Sequence, residues 1–379
     1  MAWKEVSIMS QRHEFVILAQ QERANIKELC QRFKISRKTG YKWLKRFKEE
    51  QEAGLVDQSK RPKHSPLQTS LGLEQLIAQA RNAHPAWGAR KIKALLVAQG
   101  HNLLPAPSTF TRIFVRQNCA KLDTSKPSKP WIRFEHEAPN ELWQIDFKGH
   151  FPLEQGLCHP LTVLDDHSRF NLGLRACANE DTPTVQHQLT SIFRRYGLPQ
   201  RMTMDNGPPW GNVENKGYTQ LTLWLIRLGI ALSHSKPYHP QTQGKNERFH
   251  RTLKAELLHN RLFKNLKHCQ THFDKWREVY NLQRPHQALD MKPPASRYSL
   301  SHRAFPEKLP PIEYAQGDIV RKIQDHGQLH YLGKVFRIGS AFKGYPVALR
   351  FTHQQGVLDV FFCHQKISQI SLLQPINLT

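Results

Sequence analysis

The chain has 379 residues, of which 39% are hydrophobic, so it is long enough for several domains with packed cores and is not a disordered tail. Its 55 Lys and Arg against 31 Asp and Glu leave a formal net charge of +24. A positive charge of this size favours a polyanionic partner, most often nucleic acid; the alternative is a ribosome-associated or membrane-surface protein.

The six cysteines are scattered and form no CxxC pair, which argues against a disulfide framework and a cysteine-rich zinc site. The first residues contain no apolar signal region, and no run approaches the roughly 18 apolar residues of a membrane span. We therefore expect a cytoplasmic protein of a bacterial-type cytosol, associated with the nucleoid and without a membrane partner.

Residues 1–55 are predicted to form a helix-turn-helix DNA-binding domain. Apolar residues recur at helical spacing in three short segments, and Ser36 is a candidate N-cap for the third helix. That helix is rich in basic residues, as expected of a recognition helix; a generic three-helix core with a solvated basic face is the alternative. The predicted DNA contacts are Arg37, Lys38, Lys42, Lys45 and Arg46.

Two polar, Pro- and Lys-rich segments, 56–70 and 121–140, are predicted linkers. Between them, residues 71–120 are predicted to form a second helical, helix-turn-helix-like DNA-binding domain. Ser108 is the candidate cap of its last helix, whose predicted DNA contacts are Arg112 and Arg116. The N-terminal third is the more basic part of the chain, since residues 1–135 hold 25 Lys and Arg against 11 Asp and Glu.

Residues 141–298 have the pattern of an α/β core. "LWQIDFKG" is a short apolar strand, and "LCHPLTVLDDHSRFNLGLRAC" predicts two strands around a turn at Asp165-Asp166. Helices and strands then alternate, which predicts a sheet covered by helices. The overall prediction is a multidomain fold with all-α N-terminal units and a central α/β domain.

The last segment, residues 312–379, is predicted to be a small antiparallel β-barrel, because short alternating strands follow one another at Gly-containing turns. Its basic residues predict a contact with DNA or a partner subunit, and a passive folding unit is the alternative. They are Arg321, Lys322, Lys334, Arg337 and Lys343.

Three carboxylates are placed to act together. Asp146 and Asp205 each come at the end of a predicted strand, where ligands of open α/β sheets collect. Glu247 lies on a predicted helix, about 200° from its apolar stripe of Phe249 and Leu253, so it points away from the packed face. Clustered carboxylates favour a hard cation such as Mg²⁺.

Basic residues near these acids are predicted to hold the DNA backbone. His250 is expected on the same helix face as Glu247, and lysine acts as a point charge on phosphate. The predicted DNA contacts of the core are Lys148, His239, Lys245, Arg251 and Lys254.

Other residues are interpreted as non-catalytic. Asp165 and Asp166 point to opposite sides of a strand and lie where the chain turns, so a turn role is favoured. Glu214 lies in a predicted loop and His234 in a strand. Trp210 either stacks on a base or packs its loop.

"WQIDFKG", "MDNGPP" and "SKPYHPQTQGKNERFHRTLKAEL" resemble the three catalytic blocks of the integrase-core insertion-sequence transposases, relatives of retroviral integrases. The segment "RPHQAL" is also similar to that family, and the resemblance covers about 140–298. The interval from Asp205 to Glu247 is longer than is usual in the family; we assign the excess to the loop "GNVENKGYTQ".

The resemblance implies a ribonuclease-H-like integrase catalytic core in which Asp146, Asp205 and Glu247 form a DDE triad. These three would be both the catalytic residues and the ligands of two Mg²⁺ ions, with Mn²⁺ as a substitute. Asp146 would bridge both ions. The implied activity is that of a DNA transposase that binds terminal inverted repeats, frees a 3′-OH and joins it to target DNA.

Two other functions stay open at this point. One is a structure-specific DNA nuclease of the same fold, and the other is a DNA-binding regulator without catalysis. The expected partners are the double-stranded DNA of element ends and target. Since two ends must be handled together, a homodimer or larger assembly on DNA is expected.

Overall fold

The computed structural model describes residues 8–58, 68–119, 135–211, 217–234, 244–259 and 261–373. The chain divides into two compact units, Met1–Gln68 and Thr69–Thr379. None of the helices in this described part of the chain has the length and apolar character that crossing a membrane requires.

The first unit is a bundle of three helices followed by a 3₁₀ turn, Gln51–Leu55. Ser36 caps the third helix as predicted, because its Oγ accepts the main-chain N–H of Thr39 at 3.2 Å. Gly40 lets the last two helices approach closely: a Cβ there would lie 2.6 Å from Cys30 Sγ. The helices are α1 Ile8–Ala19, α2 Ile26–Arg32 and α3 Arg37–Glu50.

The second unit begins with three helices, α4 Leu71–Ala83, α5 Ala89–Ala98 and α6 Pro107–Arg116. They enclose a small core that includes Ile77, Ile92 and Phe110. The prediction that Ser108 caps the last helix is wrong, because α6 starts at Pro107 with Ala106 as its N-cap. Proline suits the first helical position, where its fixed φ is helical and its missing N–H has no intrahelical acceptor.

A six-stranded sheet forms the centre of this unit. In it β3 pairs antiparallel with β1, β2 and β4, while β1, β5 and β6 are parallel neighbours in that order. The strands are β1 Leu142–Phe147, β2 Phe151–Pro152, β3 Leu157–Asp165, β4 Asn171–Cys177, β5 Arg201–Met204 and β6 Ala231–His234.

Helices cover both faces of the sheet, as the α/β pattern predicts. On β3, Leu161 and Val163 face one core, while Cys158 and Leu164 face a second core on the other side. The first core includes side chains of α7 Thr182–Tyr196 and α8 Gln220–Arg227, and the second those of α9 Gly244–Leu253 and α10 Leu266–Leu282. A π-helical turn, Lys254–Leu258, extends α9.

Within the described residues, the C-terminal segment is antiparallel β structure with six strands. The sequence of the last strand, QKISQIS, is rich in Gln and Ser, so its alternation is hard to read from hydrophobicity. The sheet order is β12-β11-β10-β7, and β8-β9 form a separate hairpin. The strands are β7 Ile319–Lys322, β8 Gln328–Tyr331, β9 Lys334–Arg337, β10 Pro346–Phe351, β11 Val357–Phe362 and β12 Gln365–Ser371.

This β segment shares one apolar core with the α7–α8 side of the central sheet. The ring of Phe342 is fully buried, and its centroid lies 5.1 Å from that of Tyr218. Gln220 Nε2 donates to the Ala341 carbonyl at 3.0 Å. Removing the segment would therefore uncover apolar surface of the central domain.

Phe342→Leu should lower the free energy of unfolding by about 1–2 kcal/mol, because it leaves a partial cavity in that shared core. Urea unfolding of the full chain measures the change. Phe351→Leu is the matched control, since Phe351 is 69% exposed and its change should stay within about 0.5 kcal/mol. Equal losses for the two variants would contradict the shared core.

Candidate active site

Asp146 and Asp205 come together at one end of the central sheet. Strands β1 and β5 are parallel, with Gln144 opposite Thr203. Asp146 lies two residues further along β1, and Asp205 directly follows Met204, the last residue of β5. The two groups are close enough for the negative charge of Asp205 to raise the pKa of Asp146. Both acids therefore lie at the end of the sheet where the strand ends predicted them.

Helix α9 lies at the same end of the sheet and carries Glu247. Phe249 and Leu253 are buried in the second core, whereas Glu247 is exposed, so the predicted orientation of the helix is confirmed. The buried Asn246 has its Oδ1 3.5 Å from Thr162 Oγ1, and Thr162 is the cross-strand partner of Asp146. The helix thus brings a third carboxylate to the site.

The carboxylates share one electrostatic environment. Burial, together with the negative charges of Asp205, Glu180 and Glu247, raises the pKa of Asp146 to about 7, although a hydrogen bond from the main-chain N–H of Phe147 opposes the shift. Glu180 is a residue that the sequence reasoning missed. It follows strand β4, so its place after a strand end was an available signal.

His250 lies inside the site and does not join a basic outer face, contrary to the prediction. Its Nε2 lies 2.9 Å from Thr162 Oγ1, and its Nδ1 lies 3.8 Å from Asp146 Oδ2. Burial, and then the charge of Lys148, lowers the pKa of His250 to about 4, so the ring is neutral at pH 7. A neutral imidazole fits a packed position beside the strand better than a phosphate contact.

Lys148 and Lys254 lie close to each other, and Lys148 is also close to His250. Burial lowers the pKa of Lys148, and the nearby positive charge of Lys254 lowers it further. Arg251 is exposed on α9, and Lys254 is exposed on the π-helical turn that follows it. These three side chains supply positive charge at the rim of a carboxylate site, an arrangement suited to a phosphate backbone.

The donor chemistry of the site fits a hard divalent cation, because the acids that act on Asp146 offer carboxylate oxygens and their negative charges repel one another. Within the ranges that the structure describes, no three His, Cys, Asp or Glu side chains are close enough to hold a metal ion. Asp205 and Glu247 are both exposed, so a cation would have to draw their carboxylates toward Asp146.

The turn between β3 and β4 has the predicted location, with both of its aspartates buried. Asp165 accepts the main-chain N–H groups of Asn140 and Ser168, each at 2.8 Å. Asp166 Oδ2 lies 2.5 Å from Lys245 Nζ. Lys245, predicted to contact DNA, therefore has a partner within the chain.

Of the other singled-out residues, Trp210 packs: it is 3% exposed, with its ring centroid 5.8 Å from that of Phe147. His234 is on β6 as predicted, and its Nδ1 lies 3.0 Å from the Asp205 carbonyl oxygen. Glu214 and His239 lie outside the described residues.

The predicted DNA contacts of the helical units differ in their exposure and in their contacts within the chain. Arg37, Lys38, Lys42 and Lys45 are exposed on α3, and the Lys42 ammonium lies 4.5 Å from the centroid of the Trp43 ring. Arg46 instead donates to Gln58 at 2.8 Å. On α6, Arg112 is exposed, while Arg116 forms an ion pair with the buried Glu74.

Arg37→Ala should weaken binding to the cognate DNA by about tenfold and leave the thermal transition nearly unchanged, because an exposed phosphate contact contributes little to folding. The slope of log binding constant against log salt should fall by about 1. Lys308→Ala removes the same charge from an exposed position outside α3 and should leave affinity unchanged. Filter binding or fluorescence anisotropy over a salt series measures both.

Five families match the chain by domain. Integrase core domain families match residues 136–240 and 228–294. A helix-turn-helix domain matches 11–63, and a homeodomain-like domain matches 39–114. The C-terminal domain of IS481 family transposases matches 318–375.

Known relatives align over part of the chain. The insertion element IS407 uncharacterized 31.7 kDa protein of Burkholderia multivorans is 29% identical over 167 residues, which cover 44% of this chain and 58% of that protein. The Gag-Pro-Pol polyprotein of sheep pulmonary adenomatosis virus is 33% identical over 122 residues, covering 32% of this chain and 6% of the polyprotein.

Among solved structures, a simian T-cell lymphotropic virus intasome in complex with PP2A regulatory subunit B56 gamma superposes with a TM-score of 0.37 at 17% identity, covering 75% of this chain and 91% of that chain. The IS407 relative, the paired integrase core matches and the IS481 C-terminal match point to the same class of protein. In these regions the chain is therefore similar to the integrase-core insertion-sequence transposases.

Proposed function

We propose that the chain is a DNA transposase that binds the terminal inverted repeats of its element, frees a 3′-OH at each end and joins it to target DNA. The observation that supports the proposal is that Asp146 on β1 and Asp205 just after β5 lie close together, and that the negative charges of Asp205 and Glu247 both raise the pKa of Asp146. Mutual repulsion of this kind is typical of groups gathered for function.

Asp146, Asp205 and Glu247 would hold two Mg²⁺ ions, or Mn²⁺ in their place. When bound, such ions activate a nucleophile and stabilise the leaving oxygen of a phosphodiester. Lys148, predicted to contact phosphate, would hold the DNA backbone against the carboxylate face.

Two displacements at phosphorus make up the proposed reaction. In the first, a water oxygen bonds to phosphorus, the P–O3′ bond breaks, and the strand end leaves as a 3′-OH. In the second, that 3′-OH oxygen bonds to a phosphorus atom of target DNA as a target P–O3′ bond breaks. Each step makes and breaks one P–O bond, so one set of positioned groups serves both.

The helix-turn-helix residues Arg37, Lys38, Lys42 and Lys45 would supply the contacts to the repeat, with Arg112 on α6 extending them. The C-terminal β segment is proposed to form a small barrel that contacts DNA or a second subunit. Because two element ends react together, we propose a dimer or larger assembly on DNA.

One assay separates the proposal from its alternatives. The full chain is incubated with a labelled duplex carrying the end of its element, supercoiled plasmid and Mg²⁺, and joined products are resolved on a gel. We expect label in plasmid-sized DNA. Cleavage without joining would favour the structure-specific nuclease, and binding without either product would favour the regulator.

A further inference from the structure

We infer that Lys245 and Asp166 form a buried ion pair that positions Glu247 over the carboxylate site, an inference that rests on the function proposed above. Lys245 Nζ lies 2.5 Å from Asp166 Oδ2 and donates to the Asp166 carbonyl oxygen at 3.1 Å. The two side chains are 16% and 2% exposed. The contact joins the β3–β4 turn to the first turn of α9.

Asp166 is a fixed anchor. Its Oδ2 accepts the main-chain N–H of His136 at 3.1 Å, and its Oδ1 accepts Gln144 Nε2 at 2.9 Å. Gln144 is on β1, two residues before Asp146 and on the same face. One carboxylate therefore links the strand that carries Asp146 to the helix that carries Glu247.

On the helix, the residues that make the link lie next to Glu247 in the first turn of α9. Lys245 is two residues before Glu247, which places the two side chains about 200° apart around the helix. Next to it, Asn246 is fully buried beside Thr162. Two consecutive anchors in the first turn fix how α9 is rotated, and that rotation sets where the exposed Glu247 carboxylate points.

Stability alone is a weak reason for such a pair. Taking two charges out of water costs about as much as their attraction returns, so a buried ion pair adds little net stability. Its geometry is directional, however, and an apolar contact would allow the helix to rotate or slide. Lys245 is thus assigned as a positioning residue, in contrast to the DNA contact that the sequence favoured.

The test compares Lys245→Met, which removes the charge, with Lys245→Arg, which retains it. Glu247→Gln serves as the reference for catalysis. Asp318→Asn is the matched control, since it breaks another aspartate ion pair, with Arg350 at 2.8 Å, in the C-terminal sheet.

Two readouts are needed. The first is amide hydrogen exchange in α9 of the metal-free full chain, which needs no catalysis. The second is the Mg²⁺ concentration that gives half-maximal joining, measured together with KM for the element-end duplex.

We expect Lys245→Met to speed exchange in the first turns of α9 by about tenfold and to raise the half-maximal Mg²⁺ concentration by about 10- to 100-fold, the usual range for groups that orient metal ligands. Its KM for DNA should change little. Lys245→Arg should keep both the exchange rate in α9 and the half-maximal Mg²⁺ concentration close to those of the unaltered chain. Asp318→Asn should change neither quantity.

Three results would overturn the inference. A raised KM for DNA with unchanged exchange and Mg²⁺ dependence would make Lys245 a phosphate contact. Faster exchange in α9 without a change in Mg²⁺ dependence would make the pair merely structural. Normal behaviour of Lys245→Met beside an inactive Glu247→Gln would reject the positioning role while leaving the proposed function intact.

If Glu247→Gln stayed active, the proposed function would fail, and the exchange measurement would still decide on the ion pair.

Discussion

Glu247→Gln should abolish cleavage and joining together, by on the order of 10³-fold or more, while binding to the element end survives. The amide retains the shape of the side chain but loses the negative charge that, in the proposed function, would hold a cation. Both steps should be lost because they share one site. Gel assays of cleavage and joining, run beside a binding assay on the same duplex, measure the three activities separately.

Asp146→Asn and Asp205→Asn should behave like Glu247→Gln. Combining Asp146→Asn with Glu247→Gln should cost little more than either change alone, as expected of residues that act as one unit. Asp290→Asn is the matched control: Asp290 is exposed, and asparagine tolerates its left-handed φ of 50°. Joining by Glu247→Gln at the level of this control would reject the triad.

The sequence singled out the three carboxylates because each carried a local signal. Two of the acids come at the end of apolar segments that irregular segments follow. The third lies on the side of its helix opposite the apolar stripe. Such signals depend on periods of 2 and 3.6 residues, which can be read without knowing the fold. The structure then places Asp146 and Asp205 two residues beyond a hydrogen-bonded pair on neighbouring strands.

The sequence could not predict contacts that depend on which elements become neighbours. In the sequence, Lys245 has the character of an ordinary surface lysine. In the structure, the β3–β4 turn lies against the start of α9, and Asp166 of that turn pairs with Lys245. In the sequence, His250 is one of several basic residues near Glu247, whereas in the structure it packs beside Thr162 and is largely buried. These residues are 79 and 88 positions apart in sequence from their partners, and no local pattern records such pairings.

Local rules also failed where two of them competed. Ser108 is a good capping residue by type, but Pro107 before it is a better first helical residue, so α6 starts two positions earlier than a helix capped by Ser108 would. In the C-terminal sheet, β12 forms a strand because it pairs with β11, although its own sequence alternates weakly.

Asp146→Asn should make the metal-free protein more stable than the unaltered chain at neutral pH, by about 2–4 kcal/mol, since one pKa unit corresponds to about 1.4 kcal/mol. Burial and the neighbouring acids raise the pKa of Asp146 from 3.8 to about 7, so the folded state prefers the protonated carboxyl. Its stabilising contribution is fully present below about pH 4 and is lost as the pH rises through 7. Asparagine mimics the protonated form at every pH.

Urea unfolding in EDTA at pH 4, 5, 6, 7 and 8 measures the difference between the two proteins, which should grow from pH 4 to 7 and then level off. Asp318→Asn should instead lower the free energy of unfolding at neutral pH. Arg350 lowers the pKa of Asp318, so the substitution removes a carboxylate whose charge stabilises the folded state. Added Mg²⁺ should reverse the order by stabilising only the chain that retains Asp146, and more at pH 8 than at pH 5, where protons compete for the carboxylate. A difference that stayed constant with pH would mean that Asp146 is not held among repelling carboxylates, and with that the electrostatic argument for a cation at this edge of the sheet would be lost.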